Sequence, residues 1–432
     1  MQEHSMDEVP GGATDVLPPI SLLVPAYNED KTIINSIHAL MQLDYPEYEI
    51  IVINDGSTDK TLETIVKEFG LSTFPEAYRQ RLSTKSVNAF YTSEDYSKLR
   101  IIDKENGGKA DSINTGINAA RYPLFCTVDA DSILKSNSLQ RIVQPFLDDP
   151  RTVACGGTVR IVNGSSVRRG FMYKTGLPKN VLALFQIVEY LRAFLFGRLG
   201  WSPMNALLII SGAFGLFHKE TVVSVGGYRA DTIGEDMELV VRLHRLLTKR
   251  KKEYRITFLP DPICWTEAPE KIRELGRQRI RWQHGLAESL FMNIGLLFNP
   301  RAGAVGMLAF PFMLFFEWLG PLIEVFGYIV ITLGFLTDYI SLGDFLVLMG
   351  VAVGFGLLLS VTALLLEEMS FHIYQKKSDL IRLFLAVIFE NIGYRQLNSV
   401  WRFIGLLQWV FKQEAQWGEM DRGAKWQKKR ED

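Results

Sequence analysis

Positive charge is missing from the start of this chain. Residues 1–19 carry Glu3, Asp7, Glu8 and Asp15 but no lysine, no arginine and no apolar core, which argues against a signal peptide. With Gly11, Gly12, Pro18 and Pro19 they read as a flexible acidic tail, so the first folded part is expected in the cytosol. Cysteine is scarce as well. Cys126, Cys155 and Cys264 show no CxxC spacing, which argues against a disulfide framework or a structural zinc site and fits a reducing compartment. The formal net charge is −1, so no global field points to nucleic acid. Internal repeats and low-complexity tracts are missing too. What is present is length, 432 residues, enough for a soluble domain and a membrane part.

The first third alternates short apolar runs with helical stretches. Ile20–Val24, Glu49–Ile53, Leu99–Ile102 and Leu124–Val128 read as strands, and Thr58–Phe69 and Ala110–Ala120 as helices, with another starting after Asn28. Such alternation argues for an α/β fold with an open, mainly parallel sheet. Ligands of such sheets sit beyond the carboxyl ends of the strands, where Tyr27, Asp55, Asp129 and Asp131 fall. Residues 71–98 are polar and irregular and read as a surface loop. Residues 181–200 are apolar but carry Glu189, Arg192 and Arg198, which fits an interfacial or buried helix better than a spanning one.

Several clusters carry chemistry, and each has a plainer reading beside it. Asp129-Ala130-Asp131 follows a buried strand, so both carboxylates can face one Mg2+ or Mn2+; the same tripeptide also fits a turn. Asp55, in the turn Asn54-Asp55-Gly56-Ser57, either caps a helix or binds a uracil edge flanked by Tyr27 and Glu29. Gly107-Gly108-Lys109 opens a helix whose backbone amides favour anions, or Lys109 is a solvated loop lysine. Glu235-Asp236 at another helix start either complements the helix dipole or makes Asp236 a general base. Gln278, Arg281 and Trp282 share a helix face by their i, i+3, i+4 spacing. That face can neutralise a departing diphosphate and stack on a sugar, or hold anionic lipid.

After residue 300 the texture changes. Residues 303–337 and 344–366 are long enough to cross a hydrocarbon core. The loop 338–343 has no lysine or arginine, whereas Lys376 and Lys377 follow residue 366 and Lys425, Lys428, Lys429 and Arg430 fill the tail. The positive-inside rule puts the first loop outside and the other two inside. Spans at about 316–337 and 344–366 follow, with 303–317 along the interface. Residues 379–411 carry Arg382, Glu390, Asn391, Arg395 and Arg402 and read as in-plane or re-entrant helices. Glu317 and Glu324 lie seven apart on one helix face; carboxylates at this depth are expected to line a polar passage for the glycan or its acceptor.

Taken together and in this order, the motifs resemble the family 2 glycosyltransferases of the GT-A fold, in the membrane-integrated processive branch of cellulose, hyaluronan, chitin and poly-N-acetylglucosamine synthases. The resemblance implies a Rossmann-like mixed sheet flanked by helices over residues 20–290 as a cytosolic domain. A membrane-associated region over 291–413 and a cytosolic tail over 414–432 follow. It implies nucleotide and donor contacts at Pro25, Tyr27, Glu29, Asp55, Lys109, Asp129, Gln278 and Arg281. It further implies metal ligands at Asp129 and Asp131, a catalytic Glu235-Asp236 pair with Asp236 as base, and acceptor contacts at Gly212, Phe214 and Trp282. The implied reaction is inverting, β-forming transfer from a UDP-sugar to a growing glycan at the cytoplasmic face of a plasma membrane crossed more than once. N-acetylglucosamine is the favoured sugar; single transfer to a lipid carrier or glycolipid is the alternative. Three departures stand out. Position 234 is glycine where many relatives carry threonine, a difference expected to matter little. Membrane helices before the catalytic domain and a cyclic-dinucleotide-binding domain are not visible, so a partner subunit or homo-oligomer is expected to complete translocation.

Overall fold

The computed structural model describes residues 17–168 and 170–413. The expected acidic tail, up to residue 16, and the expected cytosolic tail over 414–432 lie outside the described residues. The strands are β1 (Ile20–Ala26), β2 (Tyr48–Asp55), β3 (Ser72–Thr73), β4 (Val87–Thr92), β5 (Leu99–Lys104), β6 (Leu124–Val128), β7 (Ile133–Leu134), β8 (Thr152–Ile161), β9 (Ser166–Arg168), β10 (Phe171–Lys174), β11 (Phe214–His218) and β12 (Arg255–Thr266). Ten of them form one sheet in the order β3-β4-β5-β2-β1-β6-β11-β8-β12-β7, while β9 and β10 pair as a separate hairpin.

The centre of the sheet is parallel, β5-β2-β1-β6. All eight residues of β2 are buried, as a strand covered by helices on both faces requires. Ile50, Ile51, Val52 and Ile53 there each contribute about 1.5–3 kcal/mol of burial. After α1 (Ile33–Met41) and α2 (Thr61–Glu68), helix α3 (Lys109–Ala119) packs on β1 and β2 through Gly116, where a Cβ would stand 3.0 Å from Leu23 and 3.1 Å from Ile53. Beyond β6 the pairing turns antiparallel, with β11 between β6 and β8. The sheet is therefore mixed, where the alternation in the first third reads as mainly parallel. Residues 71–98 are not wholly a loop either: Val87–Thr92 forms an antiparallel strand against β5. Only Phe90 in that strand is buried, so it lacks the apolar run that reveals the inner strands.

Downstream helices carry the chain towards the membrane part: α4 (Val181–Leu191), α5 (Glu235–Lys249) and α6 (Ile272–Met292). Next come α7 (Gly320–Leu336), α8 (Leu342–Ser370), α9 (Lys377–Phe389) and α10 (Arg395–Val410). Two helical stretches, Val305–Leu336 and Leu342–Ser370, are long and apolar enough to cross a membrane. The first changes character at Leu319: a π-helical turn over Met313–Trp318 precedes regular α7. The 13-residue α9 and 16-residue α10 would reach about 20 and 24 Å, short of the ~30 Å hydrocarbon core. They meet at a break where Gly393 has φ of 90°.

Ion pairs tie these helices together and to the sheet domain. Glu317 pairs with Arg402 at 2.9 Å, and Glu324 with Arg395 at 3.4 Å. Glu324 also accepts from Ser399 (2.6 Å) and Tyr328 (3.0 Å). The seven-residue spacing of Glu317, in the turn before α7, and Glu324, on α7, thus matches the spacing of two arginines on antiparallel α10. The face expected to line a passage is the face that docks α10. Arg160 of β8 pairs with Glu367 of α8, both buried. Arg192 bridges Ser360 and Glu390, each at 2.6 Å.

Candidate active site

The site is assembled at the carboxyl ends of β1, β2 and β6. Pro25 sits near the end of β1, beyond Leu23, the last residue paired with β6. Its missing N–H therefore costs no bond on that side. Asn28 adopts a left-handed backbone, φ 55°. Its side-chain oxygen accepts from the Thr58 N–H (2.8 Å), and its own N–H donates to Ser57 Oγ (3.1 Å). The Glu29 N–H donates to Thr61 Oγ1 (2.8 Å), and the Glu29 carboxylate accepts from the Thr32 hydroxyl (2.7 Å). These bonds staple the loop after β1 to the loop after β2 and leave the Tyr27 ring 47% exposed at the crevice.

Asp55 ends β2 and is engaged inside the protein. Its Oδ1 accepts from Lys104 Nζ (2.6 Å) and the Gly107 N–H (3.0 Å), and its Oδ2 accepts from the Gly108 N–H (2.8 Å). Gly108, at φ 85°, holds a conformation that only glycine takes readily. Asp55 thereby fixes the turn that presents Lys109 at the first position of α3. Fully buried Lys104, which also reaches Asp111 (2.7 Å), went unmarked in the sequence; a lysine closing the apolar run of β5 was its only signal.

Lys109 is the hub. Its Nζ donates to the Asp129 carboxylate and to the Gly212 carbonyl (3.3 Å). The Gly212 N–H in turn donates to Asp236 Oδ2 (3.1 Å). A Cβ on Gly212 would lie 3.0 Å from Lys109 Nζ and 3.6 Å from Asp236 Oδ2, so this glycine lets the cation and the carboxylate approach across one peptide. Burial works against the Lys109 charge, but Asp129, Glu235 and Asp236 outweigh it and raise its pKa. Glu235, buried at the start of α5, is pushed up to about 7 by burial, with Asp236 adding to the rise and Lys109 opposing it. Asp129 and Asp131 are half-buried in the turn after β6. Among the described residues no cluster of three or more His, Cys, Asp or Glu could hold a metal unaided. Two hard carboxylate donors beside a diphosphate do fit Mg2+ or Mn2+, which commonly bind through one or two carboxylates and substrate phosphates.

Phe214 needs correction as an acceptor contact. It opens β11, is fully buried, and presses on Gly157, where a Cβ would meet its ring at 2.6 Å. It is a core residue; Gly212, two positions earlier, is the one at the cleft.

Helix α6 brings the remaining motif. Trp282 is 46% exposed, and the Arg279 guanidinium lies 4.3 Å over its indole. Arg279 also donates to Glu189 (2.7 Å) and to the Gln278 side-chain oxygen (3.1 Å). Gln278 is therefore engaged with its neighbour Arg279, while Arg281 is half-buried on the same helix. One turn on, α6 touches the loop that delivers Glu235 and Asp236. A Cβ on Gly234 would lie 2.8 Å from the Gly285 carbonyl oxygen, and one on Gly285 would lie 2.9 Å from Gly234 Cα. Glu288 accepts from Thr232 Oγ1 (2.7 Å) and the Ile233 N–H (2.8 Å). Glycine at 234 thus matters more than expected, because it belongs to a backbone contact between two motifs. Arg279, Gly285 and Glu288 were missed from sequence; a glycine inside a helix was the available signal.

Residues 21–183 match the family described as Glycosyl transferase family 2, and residues 124–366, more than half of the chain, match Glycosyl transferase family group 2. The poly-beta-1,6-N-acetyl-D-glucosamine synthase of Staphylococcus epidermidis is 30% identical over 321 residues, 74% of this chain and 67% of that protein. The synthase of the same description from Staphylococcus aureus strain COL is 33% identical over 289 residues, 66% of this chain and 59% of that protein. A mannosyltransferase from Pyrobaculum calidifontis, solved in complex with GDP-Man and Mn2+, shares the fold with a TM-score of 0.52 at 18% identity, over 94% of this chain and 92% of that one. The mixed sheet, the cleft around Lys109 and the sequence matches agree, and the chain belongs to the family 2 glycosyltransferases.

Proposed function

We propose that the chain transfers N-acetylglucosamine from UDP-N-acetylglucosamine, with inversion, to a growing β-linked glycan, and does so processively. The carrying observation is the chain of contacts Asp129–Lys109–Gly212–Asp236, which sets a cation and a carboxylate on either side of one peptide. The polymer and its sugar are supported by the Staphylococcus synthases the chain resembles. Pro25, Tyr27 and Glu29 form the rim for base and ribose, and buried Asp55, expected from the sequence to meet the uracil edge, holds the turn behind it through Lys104, Gly107 and Gly108. Lys109 and Arg281 balance the diphosphate, Gln278 steadies that helix through Arg279, and Trp282 offers an indole face to the acceptor. Asp236 takes the proton of the acceptor hydroxyl as its oxygen bonds to the anomeric carbon; the bond from that carbon to the diphosphate breaks and UDP leaves. Glu235 keeps a proton-holding carboxyl beside this base. When bound by Asp129 and Asp131, Mg2+ or Mn2+ supplies positive charge to the departing diphosphate.

We place the catalytic domain on the cytoplasmic face of a multi-pass plasma-membrane protein, on the strength of the two long apolar helices and the lysines after residue 366. Membrane lipids and a partner subunit or second copy complete the setting. The test is purified chain in lipid, given a panel of UDP-sugars, with UDP release and radiolabelled product length as readouts. Long β-linked products from UDP-N-acetylglucosamine, lost on chelation and restored by Mg2+ or Mn2+, are expected. Addition of one sugar to a lipid carrier would replace the polymer reading.

A further inference from the structure

The stretch after α4 does not continue as a regular helix. Arg192–Arg198 winds as a π-helix and passes into a short helical turn, Leu199–Trp201. Such turns are uncommon and are often found at functional sites. Tyr190, Phe194 and Arg198, four residues apart, form a stripe along it. The Tyr190 and Phe194 rings lie 5.7 Å apart, and the Arg198 guanidinium lies 3.8 Å over Phe194.

The stripe lies within electrostatic reach of charged residues of the cleft. Tyr190 is within electrostatic range of Asp131, of Glu189 and Arg279, and of Arg198. Arg198 is within range of Asp236. The charges of Asp131 and of the base Asp236 are thus felt at opposite ends of the stripe. Arg279, which pins the exposed Trp282 indole, borders the same ring.

Arg198 is also left incomplete. Its Nη1 is enclosed and, among the described residues, has no hydrogen-bond partner. Burial holds its pKa down to about 10, with Asp236 opposing the fall. A guanidinium nitrogen enclosed without an acceptor carries an unmet cost, which a ligand oxygen would remove, while the rest of half-buried Arg198 keeps some access to solvent. Lys109 already serves the side of Asp129. The carboxylate nearest to Arg198 in charge terms is the base, and the base must touch the acceptor hydroxyl.

We propose that Arg198 binds the acceptor, donating from its guanidinium to hydroxyl or amide oxygens of the terminal sugar of the glycan beside Asp236. This rests on the glycan-transfer reading above. Phe194 holds the guanidinium plane, Trp282 supplies the apolar face, and Arg198 supplies the fork.

The experiment uses the full chain in lipid nanodiscs with UDP-N-acetylglucosamine as donor and short β-linked N-acetylglucosamine oligosaccharides as acceptors, for wild type, Arg198→Gln and Arg198→Lys. Expected for Arg198→Gln is an acceptor KM raised about tenfold or more, a donor KM within about twofold, and a thermal midpoint close to wild type. Arg198→Lys recovers part of the acceptor affinity and keeps the inference testable where the glutamine variant does not fold. A raised donor KM with an unchanged acceptor KM would move Arg198 to the diphosphate and overturn the assignment, as would unchanged values for both. Wild type that uses no UDP-sugar at all would defeat the glycan-transfer reading instead.

Discussion

At the residue scale, two adjacent carboxylates on α5 have different duties because their surroundings differ. Asp236 has its Oδ2 bonded to the Gly212 N–H at the cleft, while Glu235 is turned into the protein and buried. Replacing Asp236 by Asn keeps the shape and removes the proton acceptor. Sugar transfer is expected to fall by about 100- to 10,000-fold, measured as product formed per unit time, while donor KM stays near wild type. Glu235 leaves a signature in stability. Its carboxyl is protonated in folded and unfolded chain alike well below pH 4.5; between 4.5 and about 7 the folded protein keeps a proton that the unfolded chain releases. Stability contributed by this group therefore falls as pH rises through that window and levels off above it. Glu235→Gln should flatten that dependence, so its thermal midpoint relative to wild type should climb between pH 5 and pH 7.5. A constant difference across the range would contradict the shift.

At the element scale, the geometry of the site depends on how helices touch. The Gly234–Gly285 contact lets α6 approach the loop before α5 more closely than any side chain would allow. Overpacking such a contact costs about 1–3 kcal/mol. Gly285→Ala should lower the thermal midpoint and also reduce transfer, because Asp236 stands two residues beyond Gly234. If the midpoint falls while the turnover of the remaining folded enzyme is unchanged, the contact is structural alone. Gly234→Thr should behave like Gly285→Ala in this chain, since the added Cβ meets the Gly285 carbonyl.

At the scale of the whole molecule, the helices after residue 300 are joined to the sheet domain by charge as well as by apolar packing. Arg402 donates to Glu317 and also to Gln283 of α6 (2.9 Å), so α10 links the π-helical turn before α7 to the helix that carries Arg281 and Trp282. Breaking one member of such a pair leaves its partner uncompensated. Glu324→Arg alone should lower the thermal midpoint in lipid, and Arg395→Glu alone should do likewise. The exchanged double variant should recover a large part of both losses in a double-mutant cycle. Additive losses would show that the two side chains do not interact.

The sequence by itself determined where the inner strands lie along the chain, the positions of the polar turns that end them, and the candidate residues at Asp55, Lys109, Asp129 and Asp236. Those signals are local: an apolar run stops, and a glycine or carboxylate follows within a few positions. Strand β4, one in from the sheet edge, escaped because only one of its six side chains is buried. Tertiary structure alone decided that Lys109 bridges Asp129 and Gly212, that Phe214 belongs to the core, that Gly234 meets Gly285, and that Glu317 and Glu324 find arginines on α10. Each of those facts joins positions far apart in the chain, such as 103 residues for Lys109 and Gly212 and 85 for Glu317 and Arg402. A hydrogen bond or a close backbone contact depends on ångström distances, and those exist only once the sheet and helices have packed.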